Sequence, residues 1–470
     1  MSIYKACDIR GKYGNELSEH TACQLGKAIG TLLPCKRVVV GGDVRTSTPF
    51  LKEQLIRGLM ETGCEVVDIG IVPTPVFYFA RHHLRINGGV MVTASHNPAE
   101  YNGFKITLTE WPITLAEMAQ IQAMVGSEQF ALAGGGTSRT HNVLSDYEDF
   151  IESKLAEMKG DSASIITKPL KIVIDCGNGC YSRIAPVIFR KQGYQVIELF
   201  CEEDGRFPYR NPNPAVAKHL TELCRIVVEK QADLGVAFDG DGDRVVFVDA
   251  QGQVIENDKM IALFIGDLLP THPGAKIVYD IKCSGLIRDQ IRKHGGQPLM
   301  EKSGHAYIKT RLFKEQAIFG GEISGHFFFQ TIHGDDGLFA ALLLSNLLRE
   351  SGRSLQDMAA ELPHYYITPD IRIPYQQPDA PDLLEHLASE LEQTPGCEVS
   401  RLDGVRAEFA YGWGLIRTSV TEPLLTFRFE ADSLTHLDLV KNRFLALAPK
   451  LKPLVDAVWQ EHYPIKAMQK

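Results

Sequence analysis

RVVVGGD, residues 37–43, opens on a basic residue, runs through β-branched residues and closes on Asp. The same pattern returns as KIVIDCG (171–177) and KIVYDIK (276–282). Turn-rich residues and a helical pattern follow, as in LKEQLIRGLMETG at 51–63. Short apolar strands alternating with amphipathic helices specify α/β units built on parallel or mixed sheet. The recurrence predicts three related mixed α/β domains. Near LPHYY (362–366) the pattern changes to strands at 397–430 and then a helix at about 434–448, a smaller C-terminal α+β domain. The Gly-rich turn AGGGTSRT (133–140) and the polar stretch 161–169 bracket a bridging helix at roughly 144–158. The expected domains are residues 1–145, 146–252, 253–365 and 366–470.

Size and charge agree with several soluble domains. The chain has 470 residues, more than the ~250–300 at which single cores stop growing. Its net charge of −9 argues against nucleic acid, which selects a basic face. A local Arg/Lys cluster can still hold an anion. Ten cysteines are irregularly spaced with no C-x-x-C, so a zinc ribbon is not indicated and reduced thiols are expected. The start, MSIYKACDIRGKYG, has no apolar signal core. MIALFIG (260–266) is far shorter than the ~20 residues of a membrane helix. A cytoplasmic protein without membrane or nucleic-acid partners is expected, as a monomer or small homo-oligomer.

Four motifs carry chemistry. TASHNPAEYNGFK (93–105) follows the apolar strand GGVMV, so Ser95 stands at a strand exit, where catalytic groups gather. A hydrolase nucleophile elbow needs Gly two residues either side of Ser, and Thr93 and Asn97 stand there. DGDGDR (239–244) follows LGVAF; Asp239, Asp241 and Asp243 repel unless a cation joins them. All-oxygen donors favour Mg²⁺ or Ca²⁺. An EF-hand needs Gly at its sixth position and Glu at its twelfth, and Arg244 and Ala250 stand there. GGEISGHFFF (320–329) spaces Glu322, Ser324 and His326 two apart, on one side if extended, as partners for sugar hydroxyls. RTSVTEP (417–423) spaces Arg417, Ser419 and Thr421 likewise, with Arg428 in the next strand, as a phosphate grip. No P-loop, complete G-x-G-x-x-G or H-E-x-x-H occurs.

Together with DIRG (8–11), these motifs, in this order along the whole chain, resemble the α-D-phosphohexomutase family, in its phosphomannomutase/phosphoglucomutase branch. The resemblance implies four domains around a central cleft: a phosphoserine domain, a metal domain, a sugar-recognition domain and a C-terminal phosphate-binding domain. It implies a phosphorylated Ser95 and Mg²⁺ on Asp239, Asp241, Asp243 and the Ser95 phosphate. Arg10, Lys105 and Arg244 would surround the moving phosphoryl, with His96 and His305 as candidate proton carriers. Lys282, His305, Glu322, Ser324 and His326 would contact the sugar. Arg417, Ser419, Thr421 and Arg428 would hold the phosphate that is not reacting. The implied reaction interconverts hexose 6- and 1-phosphates, of mannose and/or glucose, through a 1,6-bisphosphate, with glucose 1,6-bisphosphate as activator. The alternatives are a phosphoglucosamine mutase and a Mg²⁺-dependent sugar phosphatase. Three positions depart from the family pattern: Cys7, Ile323 and Val420. Ile323 favours mannose or glucose phosphates over glucosamine phosphate.

Overall fold

The computed structural model describes residues 3–159, 169–375, 380–418 and 424–462. Each copy of the repeated stretch is the middle one of three adjacent parallel strands in its own mixed sheet. Arg37–Gly42 runs parallel to Glu65–Ile71 on one side and Gly88–Val92 on the other. Lys171–Asp175 lies in the same way between Gln195–Leu199 and Leu234–Phe238. Lys276–Asp280 lies between Gln297–Glu301 and Phe319–Gly321. In every sheet the chain then turns back into an antiparallel strand: Tyr101–Thr107, Val245–Asp249 and Phe327–Phe329. A further antiparallel strand lies outside it: Ile9–Lys12, Val254–Ile255 and Gly334–Asp335. The first sheet also gains Thr137–Thr140 at its other edge.

The Asp that ends each repeated stretch has one local task. Oδ1 of Asp43, Asp175 and Asp280 accepts from the backbone N–H two residues on, at 3.0, 2.8 and 2.9 Å. That Asx turn stops the strand and bends the chain away from the sheet. The middle-strand residues before it are almost entirely buried, as expected of strands covered on both faces.

The C-terminal sheet is antiparallel throughout. Leu424–Ala431, Gly412–Thr418, Val405–Phe409 and Glu398–Ser400 follow one another, and Tyr366–Ile367 and Ile371–Pro374 both pair with Leu424–Ala431. The helix expected at 434–448 is Leu434–Leu447. Strand Ile371–Pro374 and helices Ala380–Glu392 and Lys452–His462 were not foreseen. Pro374 closes strand Ile371–Pro374, a position that needs no N–H.

The first three sheets share one apolar core, from Val39 and Met91 through Ile174 and Phe247 to Phe264 and Leu342. The bridging helix, Leu144–Lys159, adds Tyr147, Ile151 and Leu155 to it. The C-terminal sheet closes on a separate core around Phe427, Phe429 and Phe444.

Candidate active site

Three of the four sequence motifs occupy one topological position. TASHNP, DGDGDR and EISGH are the reversals between the last parallel strand and the antiparallel strand of sheets one, two and three. Such C-terminal strand edges are where open α/β sheets bind ligands.

At the first reversal Ser95 is buried, with φ at +49°, a region L-residues avoid unless held. The holder is Arg45, buried and spending all five N–H donors. Nε meets Asp43 Oδ2 at 3.0 Å. Nη1 meets the Pro98 and Tyr101 carbonyls at 2.6 and 3.0 Å, and Nη2 those of Ser95 and Asn97 at 2.8 and 2.6 Å. The Ser95 hydroxyl donates to Asp239 Oδ2 at 2.7 Å and lies 3.3 Å from His96 Nδ1. Burial, helped by Arg244 and Arg10, pushes the His96 imidazole well below its ordinary range, so it is neutral. Arg10 grips the same loop: Nη1 donates to Asn97 Oδ1 at 2.7 Å while Nε bonds Asp8 at 2.8 Å.

At the second reversal the three aspartates each bring an oxygen within 4.8 Å of the others. Asp239 Oδ1 accepts from the Gly242 and Arg244 N–H groups at 2.9 and 3.2 Å. Asp241 Oδ2 accepts from Thr74 Oγ1 at 2.7 Å and from Lys105 Nζ at 2.8 Å, and Lys105 also bonds Asp243 Oδ2. Oδ1 of Asp241 and of Asp243 is buried without a hydrogen-bond partner. Burial and the two other carboxylates push Asp239 well above the carboxylate range. Crowded carboxylates with orphaned oxygens are what a small hard cation satisfies, so these residues fit Mg²⁺. Gly242, at φ +80°, is required here, since a Cβ would stand 2.5 Å from the Tyr181 ring.

The third reversal is a tight turn and not the extended segment expected. Glu322 N–H donates to His326 O, Gly325 N–H to Glu322 O, and Gly325 has φ +95°. Its polar side chains still share one cavity. Glu322 Oε1 accepts from Gly304 N–H at 2.5 Å and Oε2 from Ser324 Oγ at 2.9 Å. Burial raises the Glu322 pKa. Arg244 Nε, which can only donate, meets His326 Nε2 at 2.9 Å. The His326 proton therefore sits on Nδ1, 2.8 Å from Asp335 Oδ2.

These reversals face a cleft with two lobes. One, of about 350 Å³, is lined by Arg244, Lys282, His305, Glu322, Ser324, His326 and Arg417. The other, of about 690 Å³, is lined by Arg10, His96, His305 and Arg417, among others. Burial pushes the His305 imidazole down to about 3, and its Nε2 has no hydrogen-bond partner. Lys282 Nζ lies 3.5 Å from Asp370, and Arg417 Nη2 lies 3.1 Å from Asp403.

Two expectations are displaced. Arg428 lines neither lobe. It lies 3.5 Å from Asp370 and 3.7 Å from Asp258 and faces a separate cavity. Ile323 faces that same cavity, because the turn aims it away from Glu322 and Ser324. Ser419, Val420 and Thr421 lie outside the described residues.

Profiles described as phosphoglucomutase/phosphomannomutase alpha/beta/alpha domains I, II and III match residues 1–132, 146–252 and 256–366. The chain belongs to the phosphoglucomutase/phosphomannomutase family. It is thus an α-D-phosphohexomutase, a mutase of hexose phosphates. It is 38% identical over 450 residues to a phosphomannomutase/phosphoglucomutase of Pseudomonas aeruginosa, covering 94% of each chain. It is 36% identical over 452 residues to a phosphoglucomutase of Neisseria gonorrhoeae, covering 95% of this chain and 96% of that one. A solved phosphoglucomutase/phosphomannomutase family protein of Burkholderia thailandensis matches with a TM-score of 0.86 and 35% identity, over 96% of this chain and 98% of that one. Among the described residues, no helix of this phosphohexomutase is long and apolar enough to cross a membrane.

Sequence reasoning passed over Arg45, Thr74, Asp335, Asp370 and Asp403. Arg45 follows the Asp of the first repeated stretch by two residues, but its four other partners are backbone carbonyls, which a sequence does not mark. For Asp335, Asp370 and Asp403 the pairing is long-range, and no local pattern marks them.

Proposed function

We propose that this phosphohexomutase interconverts the 1- and 6-phosphates of mannose and/or glucose through a phosphoryl group carried on Ser95. The observation that carries the reading is the Ser95 hydroxyl, held in a left-handed turn and seated 2.7 Å from Asp239. Phosphorylated Ser95 passes its phosphoryl to the free hydroxyl of a hexose monophosphate, whose proton leaves to a base. The 1,6-bisphosphate turns over, and its other phosphoryl returns to Ser95. Asp239, Asp241, Asp243 and the Ser95 phosphate would hold Mg²⁺, which would supply Lewis-acid charge neutralisation at that phosphoryl.

This chain's own residues do the rest. Arg45 fixes the loop so that Ser95 need not search for its line of attack. Arg10 and Lys105 offset charge on the phosphoryl oxygens. Neutral His96 and His305 can each accept the hydroxyl proton. Glu322 and Ser324 read sugar hydroxyls, which are equivalent enough from either end to allow the flip. Arg417 and Lys282 grip the idle phosphate. Ten free thiols support a cytoplasmic location, and we take the working form to be a monomer or small homo-oligomer activated by glucose 1,6-bisphosphate.

The test is a coupled assay of mannose, glucose and glucosamine 1-phosphates, with mass spectrometry of the peptide bearing Ser95. Turnover of mannose or glucose phosphate with phosphate on Ser95 is expected. Preference for glucosamine phosphate, or release of free phosphate in place of isomer, overturns the reading.

A further inference from the structure

Arg210 is buried and lies outside the four motifs, yet it grips the strand that delivers Asp239. Pairing between the parallel strands Lys171–Asp175 and Leu234–Phe238 stops at Asp175 and Ala237. The Phe238 carbonyl, one residue past that ladder and one before Asp239, accepts from Arg210 Nη2 at 2.7 Å. The same guanidinium sets Nε between the two Asp175 carboxylate oxygens, at 3.0 and 2.8 Å, and Nη1 on the Asn211 carbonyl at 3.2 Å. Arg210 thus bridges the ends of both strands, with its charge balanced by Asp175.

The glycines of GNGCYS (177–182) make room for this bridge. Gly177 has φ +51°, and a Cβ on it would stand 2.6 Å from Arg210 Cζ. A Cβ on Gly179 would stand 2.7 Å from Gly240 O and 3.1 Å from Asp239 O. Cys180 N–H donates to that Gly240 carbonyl at 3.0 Å. The second reversal is therefore held at Phe238 and at Gly240, on either side of Asp239. The first reversal has a matching device in Arg45, which spends its donors on the carbonyls around Ser95.

Three crowded carboxylates push apart the chain that bears them. A backbone fixed in advance spares an incoming ion that cost, and groups standing behind metal ligands typically change affinity by ~10–100-fold. We propose that Arg210 is a positioning residue for the cation site: through the Phe238 carbonyl it sets where Asp239 stands, and so how tightly the three aspartates hold a divalent ion. This rests on the reading of those aspartates as the ion's holders.

The test counts Mn²⁺, an oxygen-seeking stand-in for Mg²⁺, on the whole protein by electron paramagnetic resonance, beside thermal melting in EDTA. Arg210→Lys keeps a cation on Asp175, but its single nitrogen cannot also bridge to the Phe238 carbonyl. Its Mn²⁺ dissociation constant should rise about tenfold or more while the melt stays cooperative. Saturating Mg²⁺ should restore its rate, with KM for glucose 1-phosphate unchanged. Asp175→Asn, nearly isosteric, keeps the Gly177 turn, loosens the arginine and should weaken Mn²⁺ binding in the same sense. Wild-type Mn²⁺ affinity in either folded variant overturns the proposal. So does loss of the cooperative melt in both, which would make Arg210 a prop of the fold alone. Wild type that binds no Mn²⁺ would overturn the reading of the aspartates along with it.

Discussion

Ser95 is the residue for which no substitute stands nearby. Ser95→Ala is expected to abolish turnover with an unchanged circular dichroism spectrum, and the protein should no longer take up phosphate from glucose 1,6-bisphosphate. Arg417 differs in kind, since its proposed part is to grip and not to react. Losing a charge-assisted bond of ~1.5–3 kcal/mol weakens the hold on the idle phosphate by roughly 10–150-fold. The bisphosphate then escapes more often and leaves Ser95 bare. Arg417→Ala should therefore raise KM and need far more added glucose 1,6-bisphosphate than wild type; superposed activation curves would remove Arg417 from the grip. At this scale the sequence was legible where a motif is local. Ser95, the three aspartates and Glu322 could be read because their neighbours along the chain are also their neighbours in space. Arg45 could not, because its partners are four backbone carbonyls and Asp43, and carbonyls leave no mark in a sequence. Arg428 was misplaced for a related reason. Strand alternation puts it on the same face as Arg417, opposite Leu415 and two residues from Thr426, but only the fold shows that Asp370 stands between it and the cleft.

Elements hold the reversals in place. Helix Gly337–Ser351 begins at Asp336, whose Oδ1 caps the N–H groups of Leu338 and Phe339 at 2.9 and 3.1 Å. The same carboxyl accepts from the hydroxyls of Tyr147 and Tyr181 at 2.7 and 2.8 Å. One group thus ties the bridging helix, the second domain and the third. Burial raises its pKa to about 6 from an ordinary 3.8. The folded form then holds its proton over a range where the unfolded chain has lost it. Stability owed to Asp336 is therefore greatest below about pH 4, falls as pH climbs through about 6, and is flat above. Denaturant unfolding of wild type against Asp336→Asn should show this slope in their difference, and a difference independent of pH would refute it. The second reversal makes its own prediction. With Asp241 Oδ1 orphaned, EDTA should silence the enzyme, Mg²⁺ should restore it, and Asp241→Asn should demand much more Mg²⁺ for half its rate. Activity indifferent to chelation would make the acidic reversal a mere turn.

At the scale of the molecule, the repeat in the sequence and the sharing of core are different facts. Three similar strands could be counted from residues alone. That their sheets would pool one apolar core, while the C-terminal sheet keeps its own, depends on packing between elements far apart in the chain. The fourth domain meets the third through a small buried cluster of its own, Ile281 with Trp413 and Leu415, and through Arg406 on the carbonyls of Ile281 and Cys283 and Glu430 on the Gly285 N–H. Hydrogen exchange is expected to release the amides of strands Val405–Phe409 and Gly412–Thr418 together, and earlier than those of Lys171–Asp175. Simultaneous release would mean that the two cores melt as one.

Because one and the same hairpin bend serves three times, the enzyme reads as a single ancestral fold copied twice, with its copies turned inward and, in the function proposed above, given separate trades: one to carry the cargo, one to hold the ion, one to read the sugar. Such a division of labour leaves each trade free to drift alone. A lineage could change its sugar by rewriting the third bend while the chemistry at the first two stays as it was.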